Sequence, residues 1–387
     1  MSVRKHLFAN LILAVAAAAA LVGCRSSAQE AGSTARVPLA KTPPVYTVGA
    51  RVFGLENGAA KLASPPVTPL AGWLTPAAVP SPDGRYLAYN TWQELRADDP
   101  GLSWSDQGIE PGDPLATPSL RVYDTTTGSD DVLARGAFSV AWGEDGRLAY
   151  FTGADRDYRA GVSYVGRVVV RRSPGSKATV WSTELGRYIV IGWAGRHLVA
   201  YREYEGEALD VVVFDGPQRM RTLAADSTLV AISPDGNRAL VAQGPARGRP
   251  RVRVLSVADG RQLAALDLTK VDPAVGTVDY AGDWRGSRVV AASASGLAIF
   301  RVEGRKIALD DTLRVAGSSV AEPRFVDDSA TTVRAWTTVS RGGVFLQCDF
   351  DLGSCDRALP LPDAKGTHGF PAWRRPLYNP SRPLGTS

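Results

Sequence analysis

Histidine is nearly missing from this 387-residue chain, which holds only His6, His197 and His368. A zinc or copper centre built from imidazoles has no material here, because such centres draw on several His or Cys ligands. His6 lies in an export-type leader, so a Ser-His-Asp relay has two candidate bases, His197 and His368. Both read as turn or sheet-packing residues. No Gly-x-Ser-x-Gly sequence occurs, which removes the strained elbow that presents a nucleophilic serine. Cysteine is equally scarce, with Cys24, Cys348 and Cys355 the full set. Arg and Lys lie scattered among Asp and Glu rather than in runs interleaved with aromatics, which argues against a nucleic-acid partner. After residue 44 no helical period longer than two turns is found. The one long apolar run, Leu7 to Leu21, falls short of the about 20 residues a permanent membrane span needs.

That run has a function of its own. Arg4, Lys5 and His6 precede it and Leu21-Val22-Gly23-Cys24 ends it, the three-part layout of an export signal. The last four residues resemble the lipobox of bacterial lipoproteins. The resemblance implies a signal peptide over 1–23, cleavage before Cys24, and acyl chains on the Cys24 thiol. Two or three chains on one residue hold a protein on a membrane, where a single chain is marginal. The expected location is therefore extracytoplasmic and lipid-anchored. Residues 24–44 are small, polar and Pro-containing and read as a flexible tether. Loss of Arg4 and Lys5 with the signal lowers the formal charge from +5 to +3. Residues 45–375 read as the folded body and 376–387 as a disordered tail.

Cys348 and Cys355 stand symmetrically about a turn in Gln347-Cys348-Asp349-Phe350-Asp351-Leu352-Gly353-Ser354-Cys355. If both flanks are strands, the two Cβ atoms face each other across a hairpin, and a disulfide suits an oxidising compartment. Its ring is short, so chain entropy gives it only about 2.5 kcal/mol.

What the sequence does hold is a repeat. Ser81-Pro82-Asp83-Gly84-Arg85-Tyr86-Leu87-Ala88-Tyr89, Gly143-Glu144-Asp145-Gly146-Arg147-Leu148 and Ser233-Pro234-Asp235-Gly236-Asn237-Arg238 each place an apolar strand on either side of a tight turn. Pro presets φ, Asp caps the turn, and Gly accepts positive φ. Weaker copies surround Gly195, Gly286 and Ser329. The spacing of about 40 to 60 residues brackets the period of four-stranded propeller blades. A second hairpin follows each copy, making four strands per unit. Six complete units leave Thr367 to Trp373 as an innermost strand and Val45 to Leu62 as outer strands of a seventh. The expected fold is all-β, a β-propeller of four-stranded blades closed by both termini, with seven blades preferred over six or eight. The Ser-Pro-Asp-Gly-x-x-Leu-Ala-Tyr copies resemble the TolB-like propeller repeats of exported bacterial proteins, relatives of WD-repeat propellers. The resemblance implies an interaction role in the cell envelope and is nearly silent on chemistry. Without the serine elbow, no hydrolase domain of the prolyl-oligopeptidase type is expected beside this propeller.

Candidate metal ligands reduce to turn formers. Asp349, Asp351 and Asp356 resemble part of a calcium loop, but the two cysteines already account for that hairpin; Asp98-Asp99 and Asp155-x-Asp157 read as solvated loop carboxylates. No metal and no cofactor are expected. The links between second and third strands carry more. Long links in a compact domain are functional or disordered more often than idle. The first (92–119) holds Trp92, Trp104 and Asp106, the second (153–166) Arg156, Asp157 and Tyr158, and the third Tyr201, Glu203 and Tyr204. The fourth (244–250) holds Arg247, and the sixth lies near Trp336. In a propeller these links share one face, so aromatics and charges converge where binding anchors are wanted. The sequence reading is a monomeric, non-catalytic scaffold that binds an envelope protein or peptide there. The rival is an extracytoplasmic enzyme or small-ligand binder using carboxylates at the channel mouth.

Overall fold

The computed structural model describes residues 79–371 apart from 84, 94–116, 158–162, 204–208, 244–249, 273, 277, 279–281, 316–319, 327–329, 340–341 and 360–368, together with strands at 45–48, 51–56 and 59–62. Six four-stranded antiparallel sheets follow one another along the chain, each pairing its strands in sequence order. They span 79–135 (sheet 1), 137–180 (sheet 2), 187–224 (sheet 3), 227–267 (sheet 4), 283–314 (sheet 5) and 320–359 (sheet 6). A further sheet joins the two ends of the chain. In it, Gly369–Pro371 pairs with Val45–Val48, which pairs in turn with Arg51–Glu56 and then Ala59–Leu62.

Neighbouring sheets pack face to face, and one apolar cluster fills each seam from sheet 1 to sheet 6. Sheets covered on both faces explain the sequence pattern. Val211, Val212, Val213 and Phe214 on the third strand of sheet 3 are all fully buried. Val212 and Phe214 enter the seam with sheet 2, while Val211 and Val213 enter the seam with sheet 4. An alternating polar pattern is impossible at such a strand, and each large apolar side chain removed from water stabilises the fold by about 1.5–3 kcal/mol. Fourth strands are different. Lys306–Arg314 exposes much of one side, as the outer edge of a blade must. First strands of adjacent sheets are neighbours, so they line the middle of the assembly. The architecture is a β-propeller.

The Asp-Gly turns are locked from within. Ser233 Oγ donates to Asp235 Oδ1, the Asn237 N–H donates to the same carboxylate, and the Arg238 N–H donates to Ser233 Oγ. Ser81, Asp83, Arg85 and Tyr86 repeat the arrangement. Gly236 has φ of +71°, and a Cβ there would lie 2.7 Å from the Gly195 nitrogen in the next turn. Cys348 and Cys355 stand opposite each other on the last two strands of sheet 6 and are disulfide-bonded, with a Cα–Cα distance of 4.0 Å.

Tryptophans tie the seams at this same end. Trp142 Nε1 donates to the Val79 carbonyl (2.9 Å) and Trp193 Nε1 to the Ala141 carbonyl (3.4 Å). Trp193 and Trp284 also receive the guanidinium of the arginine that follows the preceding sheet's turn. Arg147 lies 4.2 Å from the Trp193 ring and Arg238 lies 5.1 Å from the Trp284 ring.

Candidate binding rim

Because strands alternate in direction, first-to-second and third-to-fourth turns fall at one end of the propeller, the turn rim. Second-to-third links and the passages between sheets fall at the other, the loop rim. In sheets 1 to 4 the loop-rim links are 94–116, 158–162, 204–208 and 244–250. Sheets 5 and 6 differ, with links of only Ala294-Ser295 and of residues 340–341. The sixth link, expected near Trp336 as an unusual loop, is thus only two residues long. Long strands pair almost to its end, with Val339 opposite Gly342.

The sequence-predicted residues divide accordingly. Trp92 ends the second strand of sheet 1, opposite Pro118. Arg156 and Asp157 end the second strand of sheet 2, opposite Tyr164 and Ser163, so they belong to a strand rather than a loop. Tyr201 and Glu203 end the second strand of sheet 3. Trp336 sits mid-strand in sheet 6, opposite Ala321 and Phe345. All of these are on second strands. Trp104, Asp106, Tyr158, Tyr204 and Arg247 lie outside the described residues, as does Cys24.

The seam between sheets 3 and 4 gives the fullest view of this rim. Tyr201 is buried, and its hydroxyl accepts from the Leu229 N–H (2.8 Å) and donates to the Leu229 carbonyl (3.4 Å), tying the two sheets together. Glu203 is two residues nearer the rim on the same strand, so alternation turns it to the same seam as Val199 and Tyr201. Across the seam stands Arg253, which sequence reasoning missed. It lies opposite Val241, a member of the same cluster, while its neighbours Val252 and Val254 point into the seam with sheet 5. One Arg253 nitrogen, Nη2, reaches Ser227 Oγ at 3.0 Å. The Ser227 hydroxyl in turn donates to the Ala225 carbonyl. Among the described residues, Arg253 Nε is buried with no hydrogen-bond partner and no carboxylate pairs with the group. Burial pushes the guanidinium below the ordinary arginine value. Arg251, exposed, shares this face opposite Gln243. The cue in the sequence is Arg251-x-Arg253 on a strand whose intervening residue is apolar.

A second buried polar group joins sheets 5 and 6. Asp283 Oδ2 accepts from the Phe325 N–H (3.0 Å) and Oδ1 from the Trp284 N–H (3.0 Å). Arg324 donates to the Gly282 carbonyl (2.9 Å). Burial pushes the Asp283 carboxyl up, against the opposing pull of Arg324. Both carboxylate oxygens are engaged by backbone, so the group works as a strut between first strands.

Several charges toward the turn rim are paired. Arg85 and Asp124 meet at 2.8 Å, as do Arg121 and Asp130, and Tyr89 donates to Asp130 at 2.6 Å. Arg85, with help from Thr126, holds the Asp124 carboxyl well below the usual carboxylate range. His197 Nδ1 lies 2.6 Å from Asp215 Oδ1, and Arg221 holds the other oxygen at 3.0 Å. Among the described residues, no three His, Cys, Asp or Glu side chains gather as a metal site.

No family model matches the sequence, and no curated protein matches it. Solved structures do resemble it. One comes from a structural and mechanistic study of two prolyl endopeptidases, at 15% identity and a TM-score of 0.51, covering 82% of this chain and 50% of that one. The β-propeller domain of the Trilobed protease from Pyrococcus furiosus aligns at 13% identity and a TM-score of 0.48, over 84% of this chain and 98% of that one. TolB from Acinetobacter baumannii aligns at 12% identity and a TM-score of 0.39, over 62% and 58%. The chain spans about half the length of the prolyl endopeptidase structure it matches. Likeness at this level concerns the fold alone.

Proposed function

We propose that this chain is a lipoprotein, acylated at Cys24, that presents a seven-bladed propeller outside the cytoplasm and binds a protein or peptide partner at its loop rim without catalysing a reaction. The observation that carries this reading is Arg253, a half-buried guanidinium at the loop rim with no carboxylate partner among the described residues. Toward the turn rim, Asp124, Asp130 and Asp215 all have arginine partners, and at the loop rim Arg202 pairs with Glu184, whereas Arg253 and Glu203 have no ion pair among the described residues. No ion pair among the described residues uses these two charges, so a partner is the natural recipient. The rival enzyme reading needs perturbed carboxylates facing a common cavity. Asp283 is perturbed, yet its two oxygens are occupied by backbone N–H groups.

A photo-crosslinking residue placed at Gln243 on the loop rim, in the full chain in its producing cells, should give light-dependent protein adducts. The same probe at the exposed Arg305 on the turn rim should give none. Adducts at position 305 alone would reverse the assignment of faces. Cys24→Ser should move the protein out of the membrane fraction, and its retention there would refute the anchor.

A further inference from the structure

We infer that the mouth of the seam between sheets 3 and 4 is a carboxylate-recognition site, which takes an extended peptide segment carrying acidic side chains at alternate positions. The inference rests on the loop-rim reading above and names what that rim recognises.

Three observations carry it. Arg253 is half-buried, its Nε is enclosed without a hydrogen-bond partner, and only Ser227 Oγ receives one of its N–H groups. A guanidinium in such a place, lacking an anion, is held at a cost that a bound carboxylate would relieve through charge-assisted hydrogen bonds. The Ser227 hydroxyl does not compete for that anion, because it donates to Ala225. Second, Arg251 and Arg253 project from one face of one strand, opposite Gln243 and Val241. Residues two apart on a strand are separated by roughly 6.5–7 Å. An extended ligand has the same repeat, so its alternate side chains match both arginines. Asp267, opposite Arg251 on the other side, accepts instead from Thr269. Third, Glu203 faces the same seam from sheet 3. Its charge penalises a dianionic phosphate more than a singly charged carboxylate, and it offers an acceptor for a peptide N–H or a basic group.

The experiment uses the full chain in detergent and fluorescein-labelled hexapeptides followed by anisotropy. Glu-Ser-Glu-Ser-Glu-Ser should bind, and its Gln-for-Glu counterpart should not. Arg253→Gln should weaken the acidic peptide by roughly tenfold or more. Its melting temperature should be equal to or above that of the parent, because an unpaired buried charge has been removed. Arg305→Gln on the opposite rim should bind as the parent does. Equal binding of the Gln peptide, unchanged affinity in Arg253→Gln, or an equal loss in Arg305→Gln would each overturn the site. Tighter binding of the phosphoserine counterpart would overturn its carboxylate preference. Crosslinked adducts at Gln243 together with no binding of the acidic peptide would defeat this inference and leave the loop-rim reading standing. Absence of those adducts with intact Arg253-dependent peptide binding would do the reverse.

Discussion

The two rims of this propeller are made from the same strands and spend their polar residues in opposite ways. At the turn rim, short Asp-Gly hairpins close on themselves and on their neighbours, and arginines lie on tryptophans or pair with aspartates. Links at the loop rim of sheets 1 to 4 are longer, and among the described residues Arg251, Arg253 and Glu203 enter no ion pair. One end is spent on holding the ring together. The other has its own ties, Tyr201 to Leu229 and Arg202 to Glu184, but keeps these three charges in reserve. On the proposed function, recognition draws on that reserve, and substitutions of these residues should sort by rim.

The largest effect belongs to the strut between first strands. Asp283→Leu strands the Trp284 and Phe325 N–H groups and removes the carboxylate beside Arg324, which should cost about 3–5 kcal/mol in urea unfolding. Its pH behaviour has a definite sign. The native carboxyl titrates above an ordinary aspartate, so its contribution is complete below about pH 4 and fades as pH rises through the native value. Asp283→Asn should remove that decline.

Next come two glycines of the same motif. Gly236→Ala combines positive φ with backbone of the adjacent turn at 2.7 Å, and should cost about 3 kcal/mol. Gly146→Ala has positive φ but open space, and should cost about 1–2 kcal/mol. Equal costs would mean that the turn rim is not packed from sheet to sheet.

A smaller test uses Asp124. Its native carboxyl titrates below the ordinary value, so its contribution holds above about pH 4 and disappears as pH falls below it. Asp124→Asn should flatten the acid limb of the stability profile, the reverse of the Asp283 signature.

The smallest effect is the sharpest for the comparison. Arg251→Gln and Glu203→Gln at the loop rim should each shift unfolding free energy by no more than about 0.5 kcal/mol. A loss of 2 kcal/mol at either would show that this rim, too, is spent on the fold.

The fold was largely legible because its signals are local. Pro-Asp-Gly at 82–84 and 234–236, Asp-Gly at 145–146 and the hairpin around Cys348 and Cys355 each fix a turn within a few residues. The pairing of the chain ends was legible too, by elimination, once the other strands had found places. Charge contacts were not, since they depend on which strands pair and, for Arg147 on Trp193, on which sheets are neighbours. Arg147 meets Trp193 and Arg85 meets Asp124 across tens of residues, and nothing local announces either contact. Asp283 looked like a turn residue beside Trp284, although its partner is the backbone of Phe325 in the following sheet. Arg253 escaped attention because attention fell on the links, while the arginine sits on the strand that leaves one. Trp336 lies within a strand, and only residues 340–341 separate that strand from the next, a length the sequence alone did not mark.

The sheet shared by both ends of the chain also sets an order of events. Val45–Val48 is among the first strands made, yet its inner neighbour, Gly369–Pro371, is among the last. Until that late strand is delivered, the early one offers an unsatisfied edge, the surface to which stray strands add. Synthesis therefore carries a waiting period, during which the strand at Val45–Val48 is the one most in need of shielding.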